Sequence, residues 1–235
     1  MDEVLSHFSS GDFLVLQNEV SELEYIISRA YEIGMEIILN PSPVRENLKN
    51  IDLSKLYCLI MNEHEALKIL GEENVGKCLA KAEKELPNTK VVITLGNKGA
   101  VYLDGENQIF QAAYEVKAVD TTGVGDSFTG YFVAGLFKGE STEKILKQSA
   151  AAAAISVSRN GESASIPLFD GVCEFLPTMT ERKNDKKSSE QLKAIEKYIE
   201  KNLKQATLQQ LANELNYSYS FAGNLVRKLT GMPFT

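Results

Sequence analysis

The segment DTTGVGDSFTG, residues 120–130, gathers residue types suited to chemistry on an anion. Two glycines flank Val124 just before an apolar helical stretch, so the backbone N–H groups of Gly123, Val124, Gly125 and Asp126 can converge on one concavity. The partial positive charge of a helix N-terminus adds to it, which suits a phosphoryl group whose charge must be stabilised during transfer. A carboxylate at the rim of that hole is a poor phosphate ligand, but it is well placed to take a proton from a hydroxyl attacking the phosphate, so Asp126 reads as a general base. The same residue also reads as a plain N-cap of the helix, worth about 1 kcal/mol, and spacing alone does not separate the two.

Polar residues recur where strands are expected to end. Glu19 follows FLVLQ, Asn40 closes EIILN, Asn62 closes YCLIMN, Gly96 closes VVITL and Asp120 closes VKAV. Ligands of open parallel sheets bind along the carboxyl edge, so five such ends would line one site. Each residue taken singly is also an ordinary turn former. No GxxxxGK[ST] and no strand-associated GxGxxG occurs, which excludes a Walker-type loop and a dinucleotide fingerprint. Two isolated histidines, His7 and His64, and three widely spaced cysteines argue against a zinc site, a Ser-His-Asp triad and a disulfide framework.

The elements that must position these residues follow from apolar periodicity. FLVLQ (13–17), EIILN (36–40), YCLIMN (57–62) and VVITLG (91–96) are continuous apolar runs, and the stretches between them carry helical spacing. Continuous runs imply strands covered on both faces, hence a parallel sheet with crossover helices. A hairpin is expected at Asp104 and Gly105, then a strand at VKAVD (116–120), then helices through SFTGYFVAGLF and a run of five alanines read as a close-packing device. The 235 residues are 43% hydrophobic, enough for a sizeable core. No window reaches the ~18–20 apolar residues of a membrane span, and the N-terminus lacks a signal pattern, so a cytoplasmic protein with no membrane partner is expected.

Charge divides the chain. Residues 1–180 carry 15 Lys+Arg against 26 Asp+Glu, whereas residues 191–235 carry 6 against 3. ERKNDKKSSE, residues 181–190, has no apolar side chain and reads as a solvated linker between two modules.

Residues 119–130, VDTTGVGDSFTG, resemble the second signature of the ribokinase-like (PfkB) carbohydrate kinases. QNE at 17–19, NPSP at 40–43, NEHE at 62–65, TLGNKG at 94–99 and RNGESASIP at 159–167 follow in the family's order. The resemblance covers about residues 5–177 and implies an α/β fold: a ribokinase-like parallel-sheet core with flanking helices. It implies ATP-dependent transfer of the γ-phosphoryl group to a sugar or sugar-like alcohol, with Asp126 as base and residues 123–126 as anion hole. By the same resemblance Glu19 contacts the sugar. Asn62 and Glu65 act around magnesium (Mg2+) and the nucleotide phosphates, and Thr94, Gly96 and Gly99 lie in the loop beside the nucleotide. Asp120, Thr122 and Ser165 surround a monovalent cation, so potassium (K+) activation is expected. The family's N-terminal part, with a glycine-rich sugar-binding segment and a small lid, has no counterpart before Met1, and a fragment or split gene is therefore expected.

After the linker, Leu192, Ile195, Ile199 and Leu203 mark an amphipathic helix. Thr207 with Gln210 is a capping-box pattern opening a second helix with Leu208, Leu211, Ala212 and Leu215 inward. Phe221, Leu225 and Leu229 mark a third, so residues 191–235 form a small all-α helix-turn-helix module. TLQQLANELNYSYSFAGNLVRKLTGMPF resembles the first helix-turn-helix unit of AraC-type regulators. That resemblance puts Tyr219, Ser220, Gly223, Asn224 and Arg227 toward DNA, with Arg227 and Lys228 able to meet phosphates. A three-helix packing domain remains the other reading of this module. For the whole chain a sugar kinase is expected first. The other class is a sugar- or nucleotide-sensing transcription regulator, and a homo-oligomer is left open.

Overall fold

A computed structural model of the chain describes residues 1–105, 107–181, 207–215, 222–223 and 226. Six strands form one sheet in the order β1 (Phe13–Gln17), β2 (Glu36–Asn40), β3 (Cys58–Asn62), β4 (Lys90–Thr94), β5 (Gly99–Asp104) and β6 (Asn107–Ala112). β1, β2 and β3 are parallel, with Phe13 opposite Glu36 and Ile38 opposite Cys58. β5 and β6 are neighbours joined only through residues 105 and 106, a connection that closes nothing but an antiparallel hairpin. The sheet is therefore mixed, and the expectation of a parallel sheet holds only for its first part.

The chain divides into two compact units. The first comprises Met1–Val92, Tyr102–Gln108 and Asn184–Thr235, and the second comprises Ile93–Val101 and Ile109–Lys183. In the first unit, α1 (Asp2–Leu5) precedes β1, α2 (Leu23–Ile33) crosses from β1 to β2, and α3 (Glu63–Leu70) and α4 (Val75–Glu85) follow β3. Ile37, Ile38 and Leu39 are all fully buried although consecutive side chains of a strand point to opposite faces. Both faces of β2 are thus covered, as the unbroken apolar run predicts. Gly34 ends α2 at φ 87°, a left-handed position that favours glycine, and its N–H bonds to the carbonyls of Ala30 and Tyr31.

In the second unit, α5 (Val124–Phe137) and α6 (Thr142–Val157) pack together, followed by α7 (Glu162–Ser165) and α8 (Phe169–Phe175). The alanine run works as a packing surface: Ala151 and Ala152 are fully buried, in a cluster with Tyr114, Ile155 and Val172. A Cβ at Gly135 of α5 would lie 2.7 Å from Ile145 Cγ1 of α6, so that glycine sets how closely the two helices approach.

VKAVD does not form the expected strand. The N–H groups of Val119 and Asp120 both donate to the Val157 carbonyl at the end of α6 (2.7 and 3.2 Å), which uses them up outside any sheet. Upstream, Glu115 N–H donates to Thr180 O at 2.8 Å and Tyr114 forms an antiparallel bridge with Glu181. The chain after β6 is thus stitched to residues far along the sequence instead of joining a ladder.

In the C-terminal module the structure describes α9 (Leu208–Leu215) and residues 222, 223 and 226. The capping box forms: Thr207 N–H donates to Gln210 Oε1 at 3.2 Å and Gln210 N–H to Thr207 Oγ1 at 3.3 Å. Leu211, Ala212, Ala222 and Val226 are buried. The first helix of the module, most of the linker, and Tyr219, Ser220, Asn224, Arg227 and Lys228 lie outside the described residues. Gly223 is half-buried, and a Cβ there would stand 3.2 Å from Leu208 Cδ2.

Candidate active site

The loop before α5 is built around one glycine. Gly123 has φ 72° and is the N-cap of α5, so Val124, Gly125 and Asp126 are the first three residues of the helix proper. The first helical turn leaves its opening N–H groups without intrahelical acceptors. In α5 these belong to the four residues read as an anion hole, and the N-cap residue Gly123 has no side chain with which to cap them. Asp126 is exposed on the first turn. The reading of Asp126 as the N-cap fails, because a cap residue lies outside the helical backbone and that place is taken by Gly123. A Cβ built on Gly125 meets nothing within 4 Å, so the backbone here is open to close approach by a ligand.

Just upstream, Asp120 folds the chain back on itself. Its Oδ1 accepts from Thr122 N–H (3.0 Å) and Thr122 Oγ1 (2.8 Å), and its Oδ2 accepts from Gly161 N–H (3.3 Å). These donors, the Thr122 amide foremost, hold its carboxyl below the usual carboxylate range. Ser165 is buried and its hydroxyl lies 2.7 Å from that of Ser156. Asp120 and Thr122 are therefore brought together, whereas Ser165 is engaged by a different partner.

Asp126 also borders a cavity of about 340 Å³ running along α5. Ser127 in its wall is buried, and its hydroxyl has no hydrogen-bond partner among the described residues. Lys138 and Phe169 meet at the other end, with the ammonium 4.2 Å from the ring centroid. Tyr131 donates to Pro167 O at 2.8 Å, and burial pushes its phenol above the usual value.

Thr94 ends β4, Gly99 opens β5, and Gly96 lies in the loop between them. Leu95 N–H donates to Gly99 O at 2.7 Å, closing a tight turn with Gly96 at φ 56° and Gly99 at φ 121°. A Cβ on Gly99 would fall 2.0 Å from Gln111 O, so only glycine fits.

In the first unit, Asn62 and Glu65 form a capping box at the start of α3. Asn62 Oδ1 accepts from Glu65 N–H and Glu65 Oε2 accepts from Asn62 N–H, each at 2.9 Å. Sequence reading assigned the pair to phosphate chemistry and missed this structural role, although N-x-x-E before an apolar stretch is itself a cap signal. Glu19 is exposed in the turn after β1. Its neighbour Asn18, to which no role was given, is buried and donates to Pro43 O at 2.7 Å. Nothing local in the sequence signals that bond, because its partner lies 25 residues away.

Among the described residues no group of three His, Cys, Asp or Glu forms a ready-made metal cage. Magnesium at phosphoryl-transfer sites is held by one or two carboxylates and the substrate's own phosphates, so the Glu65 carboxylate fits that ion as a donor without a cage. The oxygens of Asp120 and Thr122 suit a hard monovalent ion.

Comparison with known proteins decides the family. The sequence model described as "pfkB family carbohydrate kinase" matches residues 3–168. The chain belongs to this family. It is 34% identical over 170 residues to a ribokinase of Schizosaccharomyces pombe, covering 68% of this chain and 53% of that protein. It is 31% identical over 174 residues to a ribokinase of Bacillus subtilis, covering 73% and 57%. Among solved structures, ribokinase from Thermotoga maritima superposes with a TM-score of 0.62 at 34% identity, covering 71% of this chain and 57% of that one. Arabidopsis thaliana ribokinase complexed with ribose and ATP gives 0.60 at 29% identity, covering 70% and 55%. This pfkB-family chain thus spans a little over half the length of the relatives it matches.

Proposed function

We propose that the chain carries the phosphoryl-transfer part of an ATP-dependent carbohydrate kinase. The observation that carries the reading is the start of α5, where Gly123, which has no side chain, takes the N-cap and the amides of residues 123–126 share one turn with the Asp126 carboxylate. In this reading the acceptor hydroxyl oxygen attacks the γ-phosphorus and the bond to the bridging oxygen of the departing ADP breaks. Asp126 receives the hydroxyl proton, and the amides of Gly123, Val124, Gly125 and Asp126 hold the negative charge that builds on the transferred group. Magnesium, when bound, would neutralise the nucleotide phosphates, and Asn62 and Glu65 are the residues that would act around it. Thr94, Gly96 and Gly99 flank the nucleotide, Glu19 binds the sugar, and Asp120 and Thr122, in the loop that leads into the anion hole, surround potassium together with Ser165. Relatives solved with ribose and ATP, and with fructose and ADP, support sugars as the acceptor class.

Asp126→Asn keeps shape and removes the base. ADP formation with D-ribose or D-fructose should fall at least ~100-fold while ATP affinity stays within a factor of about two. Equal turnover by variant and parent refutes the base.

A second reading makes the C-terminal module a DNA-binding unit that reports ligand occupancy. Its support is the capping box of α9, expected of the helix-turn-helix pattern. Tyr219, Ser220, Asn224, Arg227 and Lys228 would then meet DNA. Deleting residues 181–235 separates the two: an enzyme keeps its turnover, and a regulator loses its DNA affinity.

A further inference from the structure

The turn that carries Glu19 is held by a polar clamp. Asn18, only 1% exposed, donates from Nδ2 to Pro43 O (2.7 Å) and to Asn47 Oδ1 (3.3 Å). Asn47 Nδ2 donates back to Asn18 Oδ1 at 2.7 Å, and Asn18 N–H donates to Ser42 O at 3.1 Å. Asn40 Oδ1 accepts from Ser42 N–H at 3.1 Å, which ties the same loop to the end of β2. Two loops that leave the carboxyl ends of neighbouring parallel strands are thereby locked together by both the backbone and an amide pair. At the far end of the turn, Glu22 has φ 59° and is the one non-glycine residue with positive φ among the described residues. Such a conformation costs about 1–3 kcal/mol and persists only where the surroundings over-determine it.

The clamp satisfies every polar atom of the buried Asn18 amide. Its effect is to fix the backbone one residue before Glu19. We propose that Asn18 is a positioning residue for the sugar acceptor: by binding the turn to residues 42–47 it sets where the Glu19 carboxylate meets the acceptor hydroxyls. This rests on the kinase reading of Glu19 above. Only a primary amide offers Pro43 O a donor and Asn47 both a donor and an acceptor. Leucine matches its size and makes none of these bonds.

The test uses the whole chain and calorimetric titration with D-ribose, with D-fructose and, separately, with Mg·ATP. Four proteins are compared: parent, Glu19→Gln, Asn18→Leu and Asn47→Ala. Asn47 is exposed, so its variant folds even where Asn18→Leu does not, and it removes both halves of the amide pair. Sugar affinity should fall about tenfold in Asn18→Leu and about threefold in Asn47→Ala, with ATP affinity unchanged. If Glu19→Gln loses sugar binding while both asparagine variants keep it, positioning by Asn18 is wrong and the reading of Glu19 stands. If sugar and ATP affinities fall together, the clamp is merely structural and the proposal is overturned. A parent chain that binds neither sugar overturns the reading of Glu19 and this proposal with it.

Discussion

Gly96, in the loop between β4 and β5, and Gly99, the first residue of β5, lie three residues apart, and alanine at each should have very different consequences. Both have positive φ, 56° at Gly96 and 121° at Gly99. At Gly96 a Cβ meets nothing within 4 Å, so Gly96→Ala bears only the cost of the left-handed conformation, roughly 1–2 kcal/mol. At Gly99 ψ is −139°, close to a region essentially reserved for glycine, which costs about 1–3 kcal/mol for alanine. The added Cβ would also stand 2.0 Å from Gln111 O and 2.8 Å from Ala113 N. These are backbone atoms and cannot rotate aside, so overpacking adds about 1–3 kcal/mol more. The sum, roughly 2–6 kcal/mol, is a large share of the ~5–15 kcal/mol that stabilises a typical protein. Thermal unfolding followed by circular dichroism should show Gly96→Ala a few degrees below the parent and Gly99→Ala well below both. A Gly99→Ala protein at least as stable as Gly96→Ala would refute the argument that this close approach fixes the loop.

Asp120 makes stability depend on pH. Its folded-state pKa is depressed, mainly by the Thr122 amide, so the contribution is fully present above the ordinary carboxylate range and is lost as pH falls through the lower folded value. Melting temperatures of Asp120→Asn and parent, measured from pH 6 downward, should differ most at pH 6 and converge in acid; a constant gap contradicts the Asp120 bonds. The three thiols should react unequally: burial pushes Cys78 up to about 11 and Cys58 higher still, whereas Cys173 is exposed. A disulfide reagent at pH 8 should therefore modify one thiol per native chain and three after denaturation, and rapid modification of a second contradicts the burial of β3 and α4. Tyr131→Phe removes the bond to Pro167 O and should cost about 1 kcal/mol in urea unfolding, with no loss if that bond is not made in solution.

The parts of the fold legible in the sequence are those that depend on near neighbours. FLVLQ and EIILN became strands with the expected bounds because each is a short, largely apolar run; cover on both faces holds for β2 but not for β1, where Val15 is 48% exposed. Asp104 and Gly105 marked the hairpin for a similar reason, a short-range turn preference. VKAVD failed because its backbone partners are distant: Val119 and Asp120 are claimed by Val157, and no pattern within five residues announces a partner nearly 40 positions away. The same distinction runs through the site. Gly123 and Gly125 declared a tight approach to a helix start by their type alone, and the structure adds that Gly123 takes the cap and leaves Asp126 inside the first turn.

Asn62 and Glu65 show the opposite case, a motif whose local meaning was overlooked for its chemical one. The capping box and a phosphate-facing role compete for the same oxygens, since Glu65 Oε2 and Asn62 Oδ1 both accept backbone hydrogens at 2.9 Å. A carboxylate has about four lone-pair positions, so the cap leaves Glu65 the capacity to accept further partners while fixing its direction. In the proposed function, capping and ligand contact would be two uses of one orientation, since the helix start holds the carboxylate at the carboxyl edge of β3. The polar clamp at Asn18 does for β1 what the capping box does for β3. At β3 the bonds fix the Glu65 carboxylate itself, and at β1 they fix the backbone of the residue before Glu19.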